Sequence, residues 1–365
     1  MKRVLHIIDH LGLGGAQAVL FDLVTLADRS QWKIEVAAMH GRGLFAEELE
    51  KHGITVHSLA ASSRSLRYLP AFAKLQRNFD LLHFHLSGAN WIAKPLAAFA
   101  SEQPRIVHDH ASADLRFRGI GSMMIDAMMH RFSSHTVAVS PEVKTFLQHY
   151  EALSSDEVTV IPNGINTEIF RPCTTLEKKE ARLRFDLKEN EIVIGTVGRL
   201  ASEKNQKLFL QGAKQSIDRG LYATFLLAGT GPEEVALRLY ADELKISEHV
   251  KFLGQVNDRI SLYRALDLFA LTSLYEGLPM VLLEAMASGI PVLSTDLEGI
   301  RHALENGYYG TLIPSGDAEA LADGFLNHAN ERGKELAASA RQHVEKNFSA
   351  RKSVKQISEL YYKLL

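Results

Sequence analysis

The sequence is poor in features that mark several classes of protein. Its 365 residues include one cysteine, Cys173, which can form neither an internal disulfide nor a cysteine-based metal site and fits a reducing compartment. The net charge is −2, so nucleic acid is not expected as a partner. No stretch approaches the roughly 20 apolar residues that span a bilayer, and Asp9 comes too early for the apolar core of a signal peptide. We therefore expect a cytoplasmic protein, with any membrane contact peripheral and on the inner face of the plasma membrane.

Short apolar runs alternate with amphipathic segments along the whole chain, which indicates parallel sheets covered by helices. The length exceeds the size at which a single hydrophobic core usually stops growing, and a charged stretch at 174–190 separates two series of runs. We predict an α/β protein with two doubly wound, Rossmann-like domains, 1–170 and 171–346, which face a central cleft. The predicted strands are 4–8, 34–39, 81–84, 106–108, 136–139 and 158–161 in the first domain, and 192–197, 224–228, 250–252, 268–271, 292–294 and 311–313 in the second.

The closing segment, 350–365, has the spacing of an amphipathic helix. Spacing alone is compatible with a helix that packs on its own domain and with one that crosses back to the first. Its apolar stripe consists of Val354, Ile357, Leu360, Tyr361 and Leu364.

The most informative segment lies between residues 273 and 292, directly after a predicted strand. Pro279 suits the first turn of a helix and Gly289 suits its end. The free backbone amides at such a helix start can bind a phosphate. Glu276 precedes the helix and Glu284 lies inside it, so each can accept hydrogen bonds from a different set of hydroxyls. Two acidic residues at this spacing are otherwise typical of a solvated helix face.

A second segment, from Gly195 to Asn205, lies at the end of a predicted strand. Its two glycines let the backbone approach a ligand closely, while Arg199 and Lys204 can bring two cations to a diphosphate. A diphosphate leaving group needs such neutralisation because negative charge grows on it as a sugar bond breaks. The alternative is two surface cations in salt bridges.

Two further loops follow strands of the same predicted sheet. They contain Gly229 and Gly231, and Gln255 and Val256. Such loops can hold a nucleobase through backbone groups, or they can be ordinary turns.

In the first domain, Gly14 and Gly15 follow the first strand and precede a helix. They resemble part of a dinucleotide-binding fingerprint, but Gln17 stands where its third glycine belongs, so the match is poor. A nicotinamide-dependent dehydrogenase, which these glycines alone suggest, is therefore disfavoured.

Two predicted strands end in histidines. His83 and His85 lie at the end of the strand 81–84, and His108-Asp109-His110 lies at the end of the strand 106–108. At carboxyl strand ends they are expected to face the cleft, although a single histidine is often a structural residue. Successive side chains on a strand point to opposite faces, so His108 and His110 share a face that Asp109 does not. No metal site is expected here.

Four motifs together resemble glycosyltransferase family 4, retaining enzymes of the GT-B architecture, over essentially the whole chain. They are Gly14-Gly15, residues 160–166, Gly198 to Asn205, and the pair Glu276 and Glu284 with seven residues between them. The resemblance implies that the first domain binds the acceptor, that the second binds a nucleotide-sugar donor, and that 347–365 returns to the first domain. The chain has no Asp-x-Asp, so no metal or other cofactor is expected.

The resemblance also implies residue roles. Arg199 and Lys204 would contact the donor diphosphate, Glu284 the ribose hydroxyls and Glu276 the transferred sugar. His110 would lie beside the sugar and the acceptor, unless the register is off by two and His108 takes that place. The expected catalytic set is His110, Glu276, Arg199 and Lys204, and the remaining donor contacts are Gly14, Gly15, Gly198, Gly229, Gly231, Gln255, Val256, Gly277, Met280, Val281 and Glu284.

We therefore expect a hexosyltransferase that moves a sugar from a nucleotide-diphosphate sugar to a glycan or lipid-linked acceptor in surface polysaccharide or glycolipid assembly. A UDP-sugar is expected on family frequency alone. The alternative enzyme is a nucleotide-sugar epimerase of similar architecture. An idle sugar- or nucleotide-binding subunit is the alternative from another class.

Two stretches mix basic and apolar residues in the predicted acceptor domain. Such a surface can rest on anionic lipid, or it can belong to ordinary helices with one buried face. The residues are Arg64, Leu66, Arg67, Tyr68, Leu69, Phe72, Lys74, Leu75 and Arg77, and then Arg116, Phe117, Arg118, Met123, Met124, Met128 and Met129.

Overall fold

The computed structural model describes residues 1–12, 14–59, 68–86, 88–110, 120–328 and 331–365. The chain divides into two compact units, the first comprising Met1–Gly164 with Ala350–Leu365 and the second comprising Ile165–Ser349. The sequence places the boundaries a few residues away, after 170 and before 347.

Each unit is built on one sheet in which all the neighbouring strands pair in parallel. The first sheet contains β1 (Lys2–Ile8), β2 (Trp32–Ala38), β3 (Thr55–Ser58), β4 (Leu81–His85), β5 (Arg105–Asp109), β6 (His135–Ala138) and β7 (Val158–Val160). The second contains β8 (Ile192–Val197), β9 (Ala223–Ala228), β10 (Val250–Gly254), β11 (Leu268–Leu271), β12 (Val292–Thr295) and β13 (Thr311–Ile313).

The strand order gives each sheet one switch point. The orders are β3-β2-β1-β4-β5-β6-β7 and β10-β9-β8-β11-β12-β13. The direction of winding therefore reverses between β1 and β4 in the first unit, and between β8 and β11 in the second. Ligands of doubly wound sheets bind outside the carboxyl ends of the strands at such points. The predicted fold class, two Rossmann-like domains of the GT-B type, is confirmed.

Helices cover these sheets. They are α1 (Gly15–Thr25), α2 (Leu44–Lys51), α3 (Leu69–Leu75), α4 (Lys94–Ala100), α5 (Ile120–His130), α6 (Pro141–Tyr150), α7 (Thr175–Arg184), α8 (Gln206–Asp218), α9 (Glu234–Glu243), α10 (Arg259–Ala265), α11 (Met280–Ala287), α12 (Glu298–Ala303), α13 (Ala318–His328), α14 (Glu331–Asn347) and α15 (Ala350–Leu364).

The last helix, α15, belongs to the first unit, as the resemblance implies. Its predicted stripe is buried from Val354 to Tyr361, and the Tyr361 ring packs edge-on against Trp32 with centroids 5.4 Å apart. The start of α15 lies tightly on the end of the first unit's main segment. A Cβ on Gly164 would come within 2.5 Å of the Ala350 Cα, so only glycine fits there.

The strand that the sequence does not predict is β3. It lies at the edge of the first sheet and has four residues, none of them fully buried. Edge strands are half-solvated, so β3 lacks the continuous apolar run that marks a buried parallel strand.

Within the described ranges, no helix has the length and apolarity needed to cross a bilayer.

The mixed basic and apolar stretches divide between core and surface. Tyr68 and Phe72 are buried in the core of the first unit, so they do not contribute to a lipid-facing surface. On α5, Met123 and Met129 are buried whereas Met124 is exposed. Arg64, Leu66, Arg67, Arg116, Phe117 and Arg118 lie outside the described residues.

Candidate active site

Glycines allow the loops after β8 and β9 to lie backbone against backbone. A Cβ on Gly229 would be 1.9 Å from the Gly198 carbonyl oxygen, and one on Gly231 would be 2.2 Å from that of Leu200. The Leu200 amide donates to the Thr230 carbonyl at 3.0 Å. Loop packing therefore accounts for Gly229 and Gly231 without a ligand contact.

The loop after β8 is also tied to the end of β11. It forms a 3₁₀ turn, Ser202–Lys204, and Asn205 then takes a left-handed conformation with φ of 47° before α8 begins. The Thr272 hydroxyl contacts the carbonyls of Lys204 and Asn205 at 3.2 and 3.0 Å. These contacts hold Lys204 beside the switch point.

Lys204 and Glu276, which the sequence suggests as separate ligand contacts, are paired directly. The Lys204 ammonium donates to Glu276 Oε1 at 2.6 Å, and the Ser273 hydroxyl donates to the same oxygen at 2.7 Å. The two charged side chains are 26% and 11% exposed, so a ligand can reach the pair. Ser273 was not singled out from the sequence, where its only signal is its position three residues before Glu276.

Arg199 has a different environment from Lys204. Its guanidinium pairs with Glu203, four residues on, and its side chain is 66% exposed. Gln206 anchors its backbone by donating to the Arg199 carbonyl at 2.8 Å. Exposed ion pairs contribute only about 0–1 kcal/mol, so Arg199 can exchange Glu203 for a phosphate at little cost.

The loop of Glu276 and Gly277 leads into α11. Pro279 is the residue that precedes this helix, rather than a member of its first turn as the sequence suggests. The first-turn amides of Met280 and Val281 have no acceptor inside the helix and carry the positive end of its dipole. A Cβ on Gly299, at the start of α12, would lie 1.7 Å from the Gly277 carbonyl oxygen. This contact fixes the loop, and sequence patterns gave no indication of Gly299.

Glu284 is fully buried and forms an ion pair with Arg259. Its second oxygen, Oε2, has no hydrogen-bond partner among the described residues. Burial raises the pKa of Glu284, and the Arg259 charge opposes that shift. A ribose hydroxyl can reach this carboxylate only if a neighbouring side chain, such as Arg259, moves. Arg259 begins α10, and the sequence offers no motif that marks it.

Gln255 and Val256 follow β10, at the edge of the second sheet. The Gln255 side chain is exposed and its amide donates to Asn257 Oδ1 at 3.3 Å. The Gly229 amide donates to the Gly254 carbonyl at 2.7 Å, which connects this loop to the one after β9.

A cavity of about 450 Å³ lies at the opposite, amino edge of the second sheet. Cations in its lining already have carboxylate partners: Lys178 and Arg182 pair with Asp267, and Arg264 pairs with Glu177. Doubly wound sheets bind ligands at the carboxyl edge. We therefore place the candidate site at the carboxyl edge of the second sheet, and not in this cavity at the amino edge.

In the first unit, Gly14 immediately precedes α1 and Gly15 is its first residue. A Cβ on Gly14 would be 2.1 Å from Gln17 Oε1, because the buried Gln17 side chain folds back over the glycine. Gln17, which replaces the third glycine of the dinucleotide-binding fingerprint, therefore fills the space beside this loop.

The predicted histidines separate into buried and accessible positions. His83, His85 and His108 are buried, whereas His110 is partly exposed. The rings of His108 and His110 stack, with centroids 4.2 Å apart and planes 9° apart, so the two share a face as expected. Both line a cavity of about 120 Å³ at the carboxyl end of β5. His110 is the more accessible of the two.

Burial keeps these imidazoles neutral near pH 7. It lowers the pKa of His110 to about 4 and that of His6, on β1, to about 3. The pKa values of His83, His85 and His108 are lowered well below the usual range by burial first and by neighbouring histidines second. A neutral ring offers both a hydrogen-bond donor and an acceptor.

Lys94 lines the same cavity and was not identified from the sequence. Its ammonium is buried and donates to the Ser133 hydroxyl at 2.9 Å. Burial lowers the pKa of Lys94 to about 7, so a neutral form is accessible under ordinary conditions.

Two family models match the sequence. The model described as Glycosyltransferase Family 4 matches residues 13–169, and the model described as Glycosyl transferases group 1 matches residues 177–347. The matched residues extend over most of both units.

Similar proteins are glycosyltransferases by name. The chain is 31% identical over 310 residues to a D-inositol 3-phosphate glycosyltransferase of Rhodococcus erythropolis (strain PR4 / NBRC 100887), covering 78% of this chain and 68% of that one. It is 25% identical over 313 residues to the UDP-Gal:alpha-D-GlcNAc-diphosphoundecaprenol alpha-1,3-galactosyltransferase of Escherichia coli, covering 83% and 80%. It is 30% identical over 200 residues to the putative glycosyltransferase EpsD of Bacillus subtilis (strain 168), and spans only 52% of that protein's length.

Among solved structures, Anabaena HepE in complex with UDP-glucose has the same fold. The TM-score is 0.89, both chains are covered at 100%, and the sequences are 23% identical. At this identity the likeness shows the fold.

Replacing Arg259 with methionine should destabilise the protein, because the buried Glu284 carboxylate loses its cationic partner. Removing one partner of a buried ion pair costs about 3–5 kcal/mol of unfolding free energy, measured by urea denaturation near pH 7. The loss relative to the unaltered protein should shrink as the pH falls, since burial raises the pKa of the Glu284 carboxyl and the orphaned group can then take up a proton. Arg184→Met is the matched control, because Arg184 pairs with Asp258 at the surface. Equal stability of the two variants would contradict this account.

Acid should destabilise the first unit through its buried histidines. These rings stay neutral in the folded state but bind protons in the unfolded chain below about pH 6.5, so the unfolding free energy falls as the pH falls. Each such histidine contributes a slope of about 1.4 kcal/mol per pH unit until its folded pKa is reached. His108→Gln should reduce the slope of unfolding free energy between about pH 6.5 and 5 by one histidine's share. A flat profile for the unaltered protein would refute the prediction.

Proposed function

The chain belongs to glycosyltransferase family 4, and from that premise we propose that it transfers a sugar from a UDP-sugar to a glycan or lipid-linked acceptor with retention of configuration. The observation that carries the proposal is the convergence of Lys204, Glu276 and the start of α11 at the switch point of the second sheet. Support for the donor comes from the E. coli relative, named for UDP-Gal, and from HepE, solved with UDP-glucose.

The donor diphosphate would bind in the second unit without a metal. Lys204 has three N–H donors and uses one on Glu276, so the others can reach phosphate oxygens. The amides of Met280 and Val281 add donors at the positive end of α11. Arg199 can leave its exposed partner and supply a second cation. Together these groups would stabilise the charge that develops on the leaving UDP.

Two carboxylates would orient the rest of the donor. Glu276, held by Lys204 and Ser273, retains acceptor capacity for hydroxyls of the transferred sugar. Glu284 has an unpartnered oxygen for a ribose hydroxyl, which would displace Arg259 as it enters. The loops with Gly198, Gly229, Gly231, Gln255 and Val256 would carry the uracil.

His110 would act on the transferred sugar and the acceptor hydroxyl. Its neutral ring can hydrogen-bond a sugar hydroxyl, and its partly exposed position beside a cavity lets a ligand reach it. Retention would follow a same-face route in which the leaving phosphate helps to take the acceptor proton. The first unit would then bind the acceptor. Surface polysaccharide or glycolipid assembly is the setting we propose, because the E. coli relative is named for a diphosphoundecaprenol acceptor.

Replacing Lys204 with alanine should weaken UDP binding because a charge-assisted hydrogen bond to phosphate is lost. Such a bond contributes about 1.5–3 kcal/mol, so the Kd measured by titration calorimetry should rise about 10- to 100-fold. Lys214→Ala is the matched control, since Lys214 forms an exposed pair with Asp218 on α8.

His110→Ala should lower kcat while leaving the Kd for UDP unchanged.

The donor-site proposal fails if Lys204→Ala binds UDP as tightly as Lys214→Ala does. Product analysis addresses the reaction itself: UDP release that depends on an acceptor supports transfer. A new UDP-sugar formed without any acceptor would indicate an epimerase instead.

We also propose that the first unit contacts anionic membrane from the cytoplasmic side. On α5, Met124 and Met128 are 70% and 53% exposed, and Ile125 lies between them in the sequence and is also exposed. The Trp91 indole donates to Asp126 on α5 at 2.6 Å, which places the exposed Trp91 beside this helix. Exposed apolar side chains grouped on one helix can rest in a lipid interface.

The double variant Met124→Asp, Met128→Asp should co-sediment less with vesicles that contain anionic lipid, because two apolar side chains become charged. Val235→Asp is the control, since Val235 is an equally exposed apolar residue on α9 of the second unit. Vesicle binding that is absent in the unaltered protein, or equal in all three proteins, would rule out this surface.

A further inference from the structure

A continuous row of hydrogen bonds runs through the core of the first unit, from α15 to His110. The Tyr361 hydroxyl lies 2.7 Å from His83 Nδ1 and 3.1 Å from His6 Nε2. His6 Nδ1 lies 3.0 Å from His85 Nε2, and His85 Nδ1 lies 3.1 Å from His110 Nε2. All of these side chains except that of His110 are buried.

The register of the sheet assembles this row. β1 and β4 are neighbours at the switch point, where His6 pairs with His83 and Ile8 pairs with His85. Residues two apart on a strand share a face, so His83 and His85 both point toward the His6 ring. The rings of His6 and His85 are nearly parallel, with planes 15° apart. The arrangement therefore follows from strand pairing.

Neutral imidazoles link the proton positions along the row. Each ring has one N–H and one lone pair, so each nitrogen-to-nitrogen contact has one donor and one acceptor. If His110 donates from Nε2, then His85 and His6 also donate from Nε2, and His6 donates to the Tyr361 oxygen. If the row runs the other way, every ring carries its proton on Nδ1 instead. The tautomer of His110 is thus coupled to the orientation of the Tyr361 hydroxyl.

The distances at Tyr361 favour one direction. O–H donors form shorter hydrogen bonds, near 2.7–2.8 Å, than N–H donors, near 2.9–3.0 Å. The contact of 2.7 Å with His83 therefore fits donation by the Tyr361 hydroxyl, and the contact of 3.1 Å with His6 fits donation by the His6 N–H. In this direction His110 is protonated on Nε2. Its Nδ1 is buried beside the Asn163 side chain and has no geometrically defined hydrogen bond to the described residues, so it then carries a lone pair that an entering hydroxyl can use.

We propose that Tyr361, His6 and His85 are positioning residues for the transfer reaction: they fix the His110 ring and hold its Nδ1 as a hydrogen-bond acceptor for a sugar or acceptor hydroxyl. This role rests on the proposed function, in which His110 contacts the transferred sugar. With the opposite direction of donation Nδ1 would carry the proton and could only donate, so the direction of the row decides which role His110 offers to a ligand.

The ring nitrogens of these histidines also lie close enough together to bind a metal ion. One such group is His6, His83 and His85, and the other is His85, His108 and His110. An ion bound to either group would need lone pairs that the row uses in hydrogen bonds. A bound metal and the hydrogen-bonded row are therefore mutually exclusive, which makes metal content a test.

The decisive experiment is nitrogen-15 NMR of the full-length protein labelled at histidine, with assignments from single histidine variants. We expect the Nε2–H tautomer at His110, His85 and His6 of the unaltered protein. Tyr361→Phe should give mixed tautomers at His110 and lower kcat about tenfold or more, within the range of proton-transfer contributions, with an unchanged Kd for UDP. Tyr362→Phe is the matched control, because Tyr362 is exposed and its hydroxyl donates to Gln31 at 2.7 Å.

Three results would overturn the proposal: the Nδ1–H tautomer at His110 of the unaltered protein, an unchanged tautomer and kcat in Tyr361→Phe, or a stoichiometric metal in the purified protein. The spectrum of the unaltered protein needs no variant, so the proposal stays testable if Tyr361→Phe does not fold. Absence of sugar transfer by the unaltered protein would instead contradict the proposed function, and the tautomers would still report on the row.

Discussion

The ion pair between Lys204 and Glu276 joins the loop after β8 to the loop after β11, across the point where the winding of the second sheet reverses. Thr272 reinforces the junction from the end of β11, and Gly299 allows the loop of Gly277 to pack under α12. An ammonium, a carboxylate and a helix start are therefore held together before any donor arrives. Preorganisation of this kind is what makes charge stabilisation effective in a transition state, because no reorganisation is then required.

The two units place ionisable groups in different surroundings. At the candidate site of the second unit, charged side chains meet in pairs that are partly open to solvent, and Glu284 is the member that is fully buried. In the first unit, the switch point contains neutral imidazoles in the core, joined to one another and to Tyr361, beside the Asp9 carboxylate that accepts from the Gly88 and Ala89 amides. The first arrangement suits recognition of an anion. The second suits hydrogen bonding to neutral hydroxyls, so the division matches the proposed roles of donor and acceptor units.

The sequence predicts most of this architecture because buried parallel strands appear as continuous apolar runs, which the second sheet contains from β8 to β13. It also indicates Lys204, Glu276 and the start of α11, since glycine, proline and charge after a strand have direct conformational meaning. It does not indicate the ion pair of Arg259 or the hydrogen bonds of Tyr361, whose partners are 25 and more than 270 residues away. Such contacts depend on strand order and register, which local patterns do not contain. Burial also depends on strand order and register. The sequence therefore predicts the histidines at the ligand-facing edge but not that most of them are buried.

A crystal structure of the protein with bound UDP tests the central claim most directly. The account predicts that phosphate oxygens lie within hydrogen-bond distance of the Lys204 ammonium and of the Met280 and Val281 amides, with the ribose at Glu284 and Arg259 displaced. UDP bound away from these groups, with the Lys204–Glu276 and Arg259–Glu284 pairs as they are now, would contradict it.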